Sequence, residues 1–88
     1  MPTIALFRGI SIYMFTEIGQ PHFMPHFHAY YGEYAASIAI DPPVLLEGTL
    51  PRRQMRIVLA WAELHQEELA ANWERVQNGH SPIRIEGI

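Results

Sequence analysis

Short β-rich runs broken by glycine and proline fill the first half of this chain, and one long stretch of helical period fills the second. That order constrains the fold more tightly than composition does. Residues 3–7 (Thr-Ile-Ala-Leu-Phe) and 10–15 (Ile-Ser-Ile-Tyr-Met-Phe) flank Arg8-Gly9, which reads as a hairpin turn. Residues 26–31 and 34–40 flank Gly32-Glu33, where glycine in the first central position suits a type II′ turn. Asp41-Pro42-Pro43 stops the fourth run, because proline cannot donate to a sheet ladder. Residues 16–25, with Gly19, Pro21 and Pro25, read as a loop, and 44–50 as a Leu-rich connection.

From Pro51 to about Gln77 the spacing predicts one helix. Met55, Val58, Leu59, Ala62, Leu69, Trp73 and Val76 recur at i, i+3, i+4 and i+7, with Pro51 in the first turn and Asn78-Gly79 as the stop. Residues 82–86 alternate and read as a last short strand. Strands followed by a helix predict an α+β fold: an antiparallel sheet of four to five strands with one long amphipathic helix packed on one face. Eighty-eight residues hold one such domain, residues 1–88, with a small core and a reason to associate.

The chain lacks cysteine, which excludes disulfides, thiolate zinc sites and cysteine nucleophiles. Its six basic residues are all arginine and its net charge is −3, against broad electrostatic capture of nucleic acid. Nucleic acid would then need a local arginine and histidine patch. No apolar run approaches the roughly 18–20 residues that span a bilayer, and the start lacks a basic region followed by a long apolar one. A cytoplasmic protein with no membrane partner is the expectation.

Three of the five histidines fall in Pro21-His22-Phe23-Met24-Pro25-His26-Phe27-His28. On a strand, His26 and His28 point to the same face, with Cα atoms roughly 6.5–7 Å apart. Two imidazoles so placed can converge on one ion, and His22 in the preceding loop can supply a third. Such a set suits a divalent metal, zinc first, with one position left open for water. Glu17, Glu33 or His65 would add a further ligand or an outer partner. Without a metal, His26 and His28 can act as acid and base, with Arg8 or the helix-start arginines holding a phosphodiester. The plain alternative is a polar outer strand face, with Phe27, Ala29 and Tyr31 turned to the core.

Arg52, Arg53 and Arg56 crowd the first helical turns while Glu63, Glu67, Glu68 and Glu74 come later, the reverse of what the helix macrodipole favours. The violation points to an anionic partner, or more blandly to a solvated face with arginine stems over apolar neighbours. Trp61 and Trp73, twelve residues apart, would face different directions on one continuous helix. Trp73 continues the core stripe, so Trp61 is a candidate exposed anchor for a partner or, equally, a core residue at the sheet edge. His65 falls on the buried line as a hydrogen-bonded histidine.

Taken together, several segments resemble one family. They are Met1-Pro2-Thr3-Ile4, Ile10-Ser11-Ile12-Tyr13, the Pro-His to Pro-His-Phe-His segment and Tyr31-Gly32-Glu33-Tyr34. Leu46-Glu47-Gly48-Thr49-Leu50-Pro51-Arg52-Arg53 and the stretch from Trp61 to Trp73 extend the match. The chain resembles domain of unknown function 4160 over almost its whole length. That resemblance implies a small cytosolic bacterial protein, often encoded beside a member of domain of unknown function 2442, and with it a toxin–antitoxin interpretation. The family pattern falls on His22, His26, His28, Glu33, Arg52, Arg53, Trp61, His65 and Trp73.

The first expectation is therefore an interaction protein of toxin–antitoxin type. Its partner is the product of a neighbouring gene or a second copy of itself, and its surface is His22, His26, His28 and Arg52–Arg56. The alternatives are a metal-dependent hydrolase, a metal-free endoribonuclease using the histidine cluster, and a scaffold with no chemistry.

Overall fold

The computed structural model describes residues 3–16 and 24–88. Five strands come first: β1 (Thr3–Phe7), β2 (Ile10–Tyr13), β3 (His26–Tyr31), β4 (Tyr34–Ala39) and β5 (Leu45–Thr49). Two helices follow, α1 (Arg52–Leu64) and α2 (Gln66–Gln77). The strands form one antiparallel meander in the order β1-β2-β3-β4-β5. Arg8 and Gly9 both take positive φ, 50° and 77°, as a two-residue turn of type I′ needs to match the twist of its strands. Phe7 and Ile10 close that hairpin, and Tyr31 and Tyr34 close the next.

The expected connection at 44–50 is a fifth strand. Leu45-Leu46-Glu47-Gly48-Thr49 neither alternates nor avoids glycine, so its own pattern does not announce a strand. Pairing with β4 makes it one, with a shift of register at Leu46 and every residue exposed. Gly48 is required there. Its φ is +77°, and a Cβ would lie 2.1 Å from the Ala35 carbonyl oxygen on β4.

The single long helix is two helices, meeting at His65. His65 leaves helical geometry (φ −119°, ψ 28°), while its N–H still reaches the Trp61 and Ala62 carbonyls and its carbonyl accepts from Leu69. Glu68, three residues into α2, bonds the His65 ring, a side-chain version of the reciprocal contact at a capped helix start. The break also corrects the charge reading. Glu67 and Glu68 open α2 and Arg75 lies in its last turn, so α2 follows the macrodipole. Only α1 runs against it, with no acid in its first turn and no side-chain cap at Pro51.

The core joins alternate strand residues to the helices. Ile10, Ile12, Phe27, Ala29, Ala36 and Ile38 are buried with Val58, Leu69, Trp73 and Val76. Trp61 sits at the centre, fully buried, with its ring 5.1 Å from Phe7 and 5.7 Å from Phe27. Of its two readings the core one holds, and it offers no exposed anchor. Both tryptophans reach the same core, Trp61 from α1 and Trp73 from α2.

Residues 82–86 do not form a strand. The segment runs instead as a strap beside β1, and among the described residues one backbone bond joins them, from the Ile85 N–H to the Ile4 carbonyl, 2.9 Å. Side chains hold the rest of it. Trp61 Nε1 donates to Glu86 O at 2.7 Å, and Arg8 Nε to Ile88 O at 3.1 Å. No helix among the described residues is long and apolar enough to cross a membrane.

Candidate functional site

Side chains of a strand alternate between faces, so burial of Phe27 and Ala29 sends His28 and Tyr30 to the opposite, outer face. Register extends that face across the sheet. One row runs Tyr13, His28, Ser37, Glu47, and the next runs Ser11, Tyr30, Ala35, Thr49. Neighbouring strands lie about 4.8 Å apart, so each row is a continuous line of side chains.

Aromatic rings occupy the β2–β3 side of this face. Tyr13 and Tyr30 meet edge to face at 5.5 Å, and Phe15 meets His28 in the same way at 4.5 Å. Ser11, Tyr13, Phe15 and Tyr30 line an open groove of about 420 Å³. Towards β5 a second depression of about 250 Å³ is lined by His28, Ser37, Glu47 and Gly48. Ser37 Oγ lies 3.3 Å from His28 Nδ1, with the donor set by the ring's tautomer.

His26 and His28 share parity as expected, with ring centroids 5.1 Å apart. The His26 ring also lies 5.2 Å from Trp73, so α2 reaches the end of the sheet where β3 begins. His26 Nδ1 is 2.7 Å from the Met24 carbonyl oxygen. A neutral ring bonded this way carries its hydrogen on Nδ1 and leaves Nε2 as the lone-pair nitrogen, the orientation used to present a histidine to a metal or a proton. His22 and Glu17 lie outside the described residues. Among the described residues no three side chains of His, Asp or Glu gather closely enough to hold a metal ion.

The arginines do not join the histidines. Arg8 sits in the β1–β2 turn beside the Tyr31 end of β3, whereas His26 begins that strand five residues away, about 17 Å along it. Its guanidinium is engaged with the strap at Ile88. Arg52, Arg53 and Arg56 are exposed on α1, which starts just beyond Thr49; since Thr49 pairs with Ala35, this too is the end away from His26. Glu33 lies in the β3–β4 turn, again at the far end from His26. His65 is a helix-junction residue whose ring lies 5.6 Å from that of Trp61, tilted by 45°, and bonds Glu68.

Tyr13, Tyr30, Ser37 and Glu47 belong to this face, although no local motif in the sequence marks them as site residues. The available signal was strand parity: once His28 is placed, its cross-strand partners follow from the hairpin registers. Parity does not reach Glu47, because Leu45-Leu46-Glu47-Gly48-Thr49 carries no strand pattern of its own.

No curated protein and no solved structure matches the chain. A family model does: residues 9–74 of the 88 match the one described as Domain of unknown function (DUF4160), a span that takes in all of β2 to β5, α1 and most of α2. With well over half of its length inside that match, the chain belongs to this family.

Proposed function

We propose that the protein is a partner-binding module that docks another protein on the outer face of its sheet. The observation that carries this reading is the aromatic groove between Tyr13, Phe15 and Tyr30, left uncovered by any described element. A solvent-facing sheet surface is ordinarily polar; tyrosine and phenylalanine rings gathered there are the composition of an interface centre. A toxin–antitoxin pair, with the product of a neighbouring gene as the partner, is the form of association the family resemblance implies.

The test is co-expression with that neighbouring product, comparing the native chain with Tyr30→Glu. Tyr30 is 37% exposed, so a carboxylate there should leave the far-UV spectrum intact. Loss of co-purification in the variant alone is the expected result. Equal co-purification by both would move the docking surface off this face.

The orientation of His26 by Met24 supports a second reading, a metal-dependent hydrolase using His22, His26 and His28. It expects near-stoichiometric zinc or another divalent metal in purified, untagged protein and none in the His26→Ala, His28→Ala double variant. No metal in either protein after reconstitution would end that reading. The metal-free ribonuclease has less behind it, since Arg8 and the helix-start arginines lie towards the opposite end of the sheet from His26.

A further inference from the structure

The chemistry of the outer face says what kind of partner residue it suits. Among the described residues its one carboxylate is Glu47, exposed at the end of the row Tyr13, His28, Ser37, Glu47. The arginines lie elsewhere: Arg8 in a turn bound to the strap, Arg52, Arg53 and Arg56 on α1, Arg75 bound to Ser81, Arg84 on the strap. The chain has no lysine. Backbone N–H groups of β3 and β4 are committed to ladders on both sides. Among the described residues this face therefore offers an anion no guanidinium or ammonium group.

To a cation it offers several complementary features. Glu47 supplies a full negative charge beside the Ser37 hydroxyl, across a depression of about 250 Å³. Gly48 follows Glu47 and lines the same depression. A planar guanidinium fits this site better than an ammonium does, because it bonds a carboxylate through two parallel N–H groups and has further N–H groups for the Ser37 hydroxyl.

We propose that the outer face captures an arginine on an extended segment of the protein partner. The guanidinium seats against Glu47 and Ser37, and a neighbouring apolar side chain of the same segment enters the Tyr13–Phe15–Tyr30 groove. This rests on the partner-binding reading and adds the chemistry of the partner to it.

The test is a chemical-shift titration of the full ¹⁵N-labelled chain with acetyl-Leu-Arg-Leu-amide. The control peptide carries citrulline, which keeps the shape of arginine without its charge. The arginine peptide should shift the amides of His28, Ser37 and Glu47 saturably. Binding should be about tenfold weaker for the citrulline peptide and for Glu47→Gln, the size of one charge-assisted hydrogen bond. Glu47 is exposed on an edge strand, so the variant should fold. No saturable shift, equal binding by Glu47→Gln, or shifts centred on Glu63, Glu67 and Glu74 of the helices would each overturn the proposal. Co-purification of the neighbouring product separates the two levels. A partner retained at full affinity by Glu47→Gln but lost by Tyr30→Glu ends the arginine assignment and leaves the docking face standing. A partner indifferent to both ends the pair.

Discussion

Asn72 holds Ile83 by two hydrogen bonds: its Nδ2 donates to the Ile83 carbonyl and its Oδ1 accepts from the Ile83 N–H, each at 2.8 Å. The side-chain amide imitates a strand partner, and it does so while only 2% exposed. It is the one polar residue among the described buried side chains, and both of its polar atoms are satisfied. Asn72→Ala should lower unfolding free energy by about 2–4 kcal/mol, because it removes two bonds and strands the Ile83 backbone. Arg75→Ala, which removes an exposed bond to Ser81, should cost under about 1 kcal/mol. Urea unfolding of the two variants checks the contrast, and equal costs would mean that Asn72 does not pin the strap.

Trp61 ties the same strap to the core. Trp61→Phe keeps most of the ring packing but loses the N–H bond to Glu86 O. The expected cost is about 1–3 kcal/mol, with faster amide exchange at Ile85. Trp61→Ala also opens a cavity between Phe7 and Phe27 and should cost about 3–5 kcal/mol. An unchanged Ile85 exchange rate in Trp61→Phe would show that the strap is held without this bond.

Gly48→Ala should release β5. The substituted residue would have to adopt positive φ and push its Cβ into the Ala35 carbonyl, a contact with backbone that cannot swing aside. A left-handed conformation alone costs about 1–2 kcal/mol for an L-residue. Hydrogen exchange should show lost protection along β4–β5 while β2 and β3 keep theirs. Uniform loss across the sheet would instead mean that β5 and the rest unfold as one unit.

The start of α1 works against its own dipole. Arg52→Glu should therefore stabilise the protein by about 0.3–1 kcal/mol, since α1 has no acid in its first turn and Pro51 contributes no cap. A thermal melt reads this as a rise of a few degrees for a domain of this size. If the Arg52 variant also keeps full partner affinity, its positive charge is not part of the docking surface.

Local pattern made the two hairpins legible. Arg8-Gly9 and Gly32-Glu33 sit between β-rich runs, and a two-residue turn fixes register without help from the rest of the chain. The shared parity of His26 and His28 followed from the strand period alone. The break at His65 was hidden for the same kind of reason. Val58, Ala62, Leu69, Trp73 and Val76 keep a helical spacing across it, so the apolar stripe looks continuous whether or not the axis bends.

By itself, then, the sequence determined the class of fold, the pairing of its local hairpins and the absence of thiol chemistry. It also determined that β3 presents two histidines to one side. Tertiary structure decided the rest: that Leu45–Thr49 is a strand, that Trp61 is core, that the last residues form a strap, and that Glu47 shares a face with His28 and Tyr13. Each of these depends on contacts between residues far apart in the chain. Such contacts reward an exposed, glycine-containing segment or a mid-helix asparagine only when a specific partner, Ala35 or Ile83, is already in place.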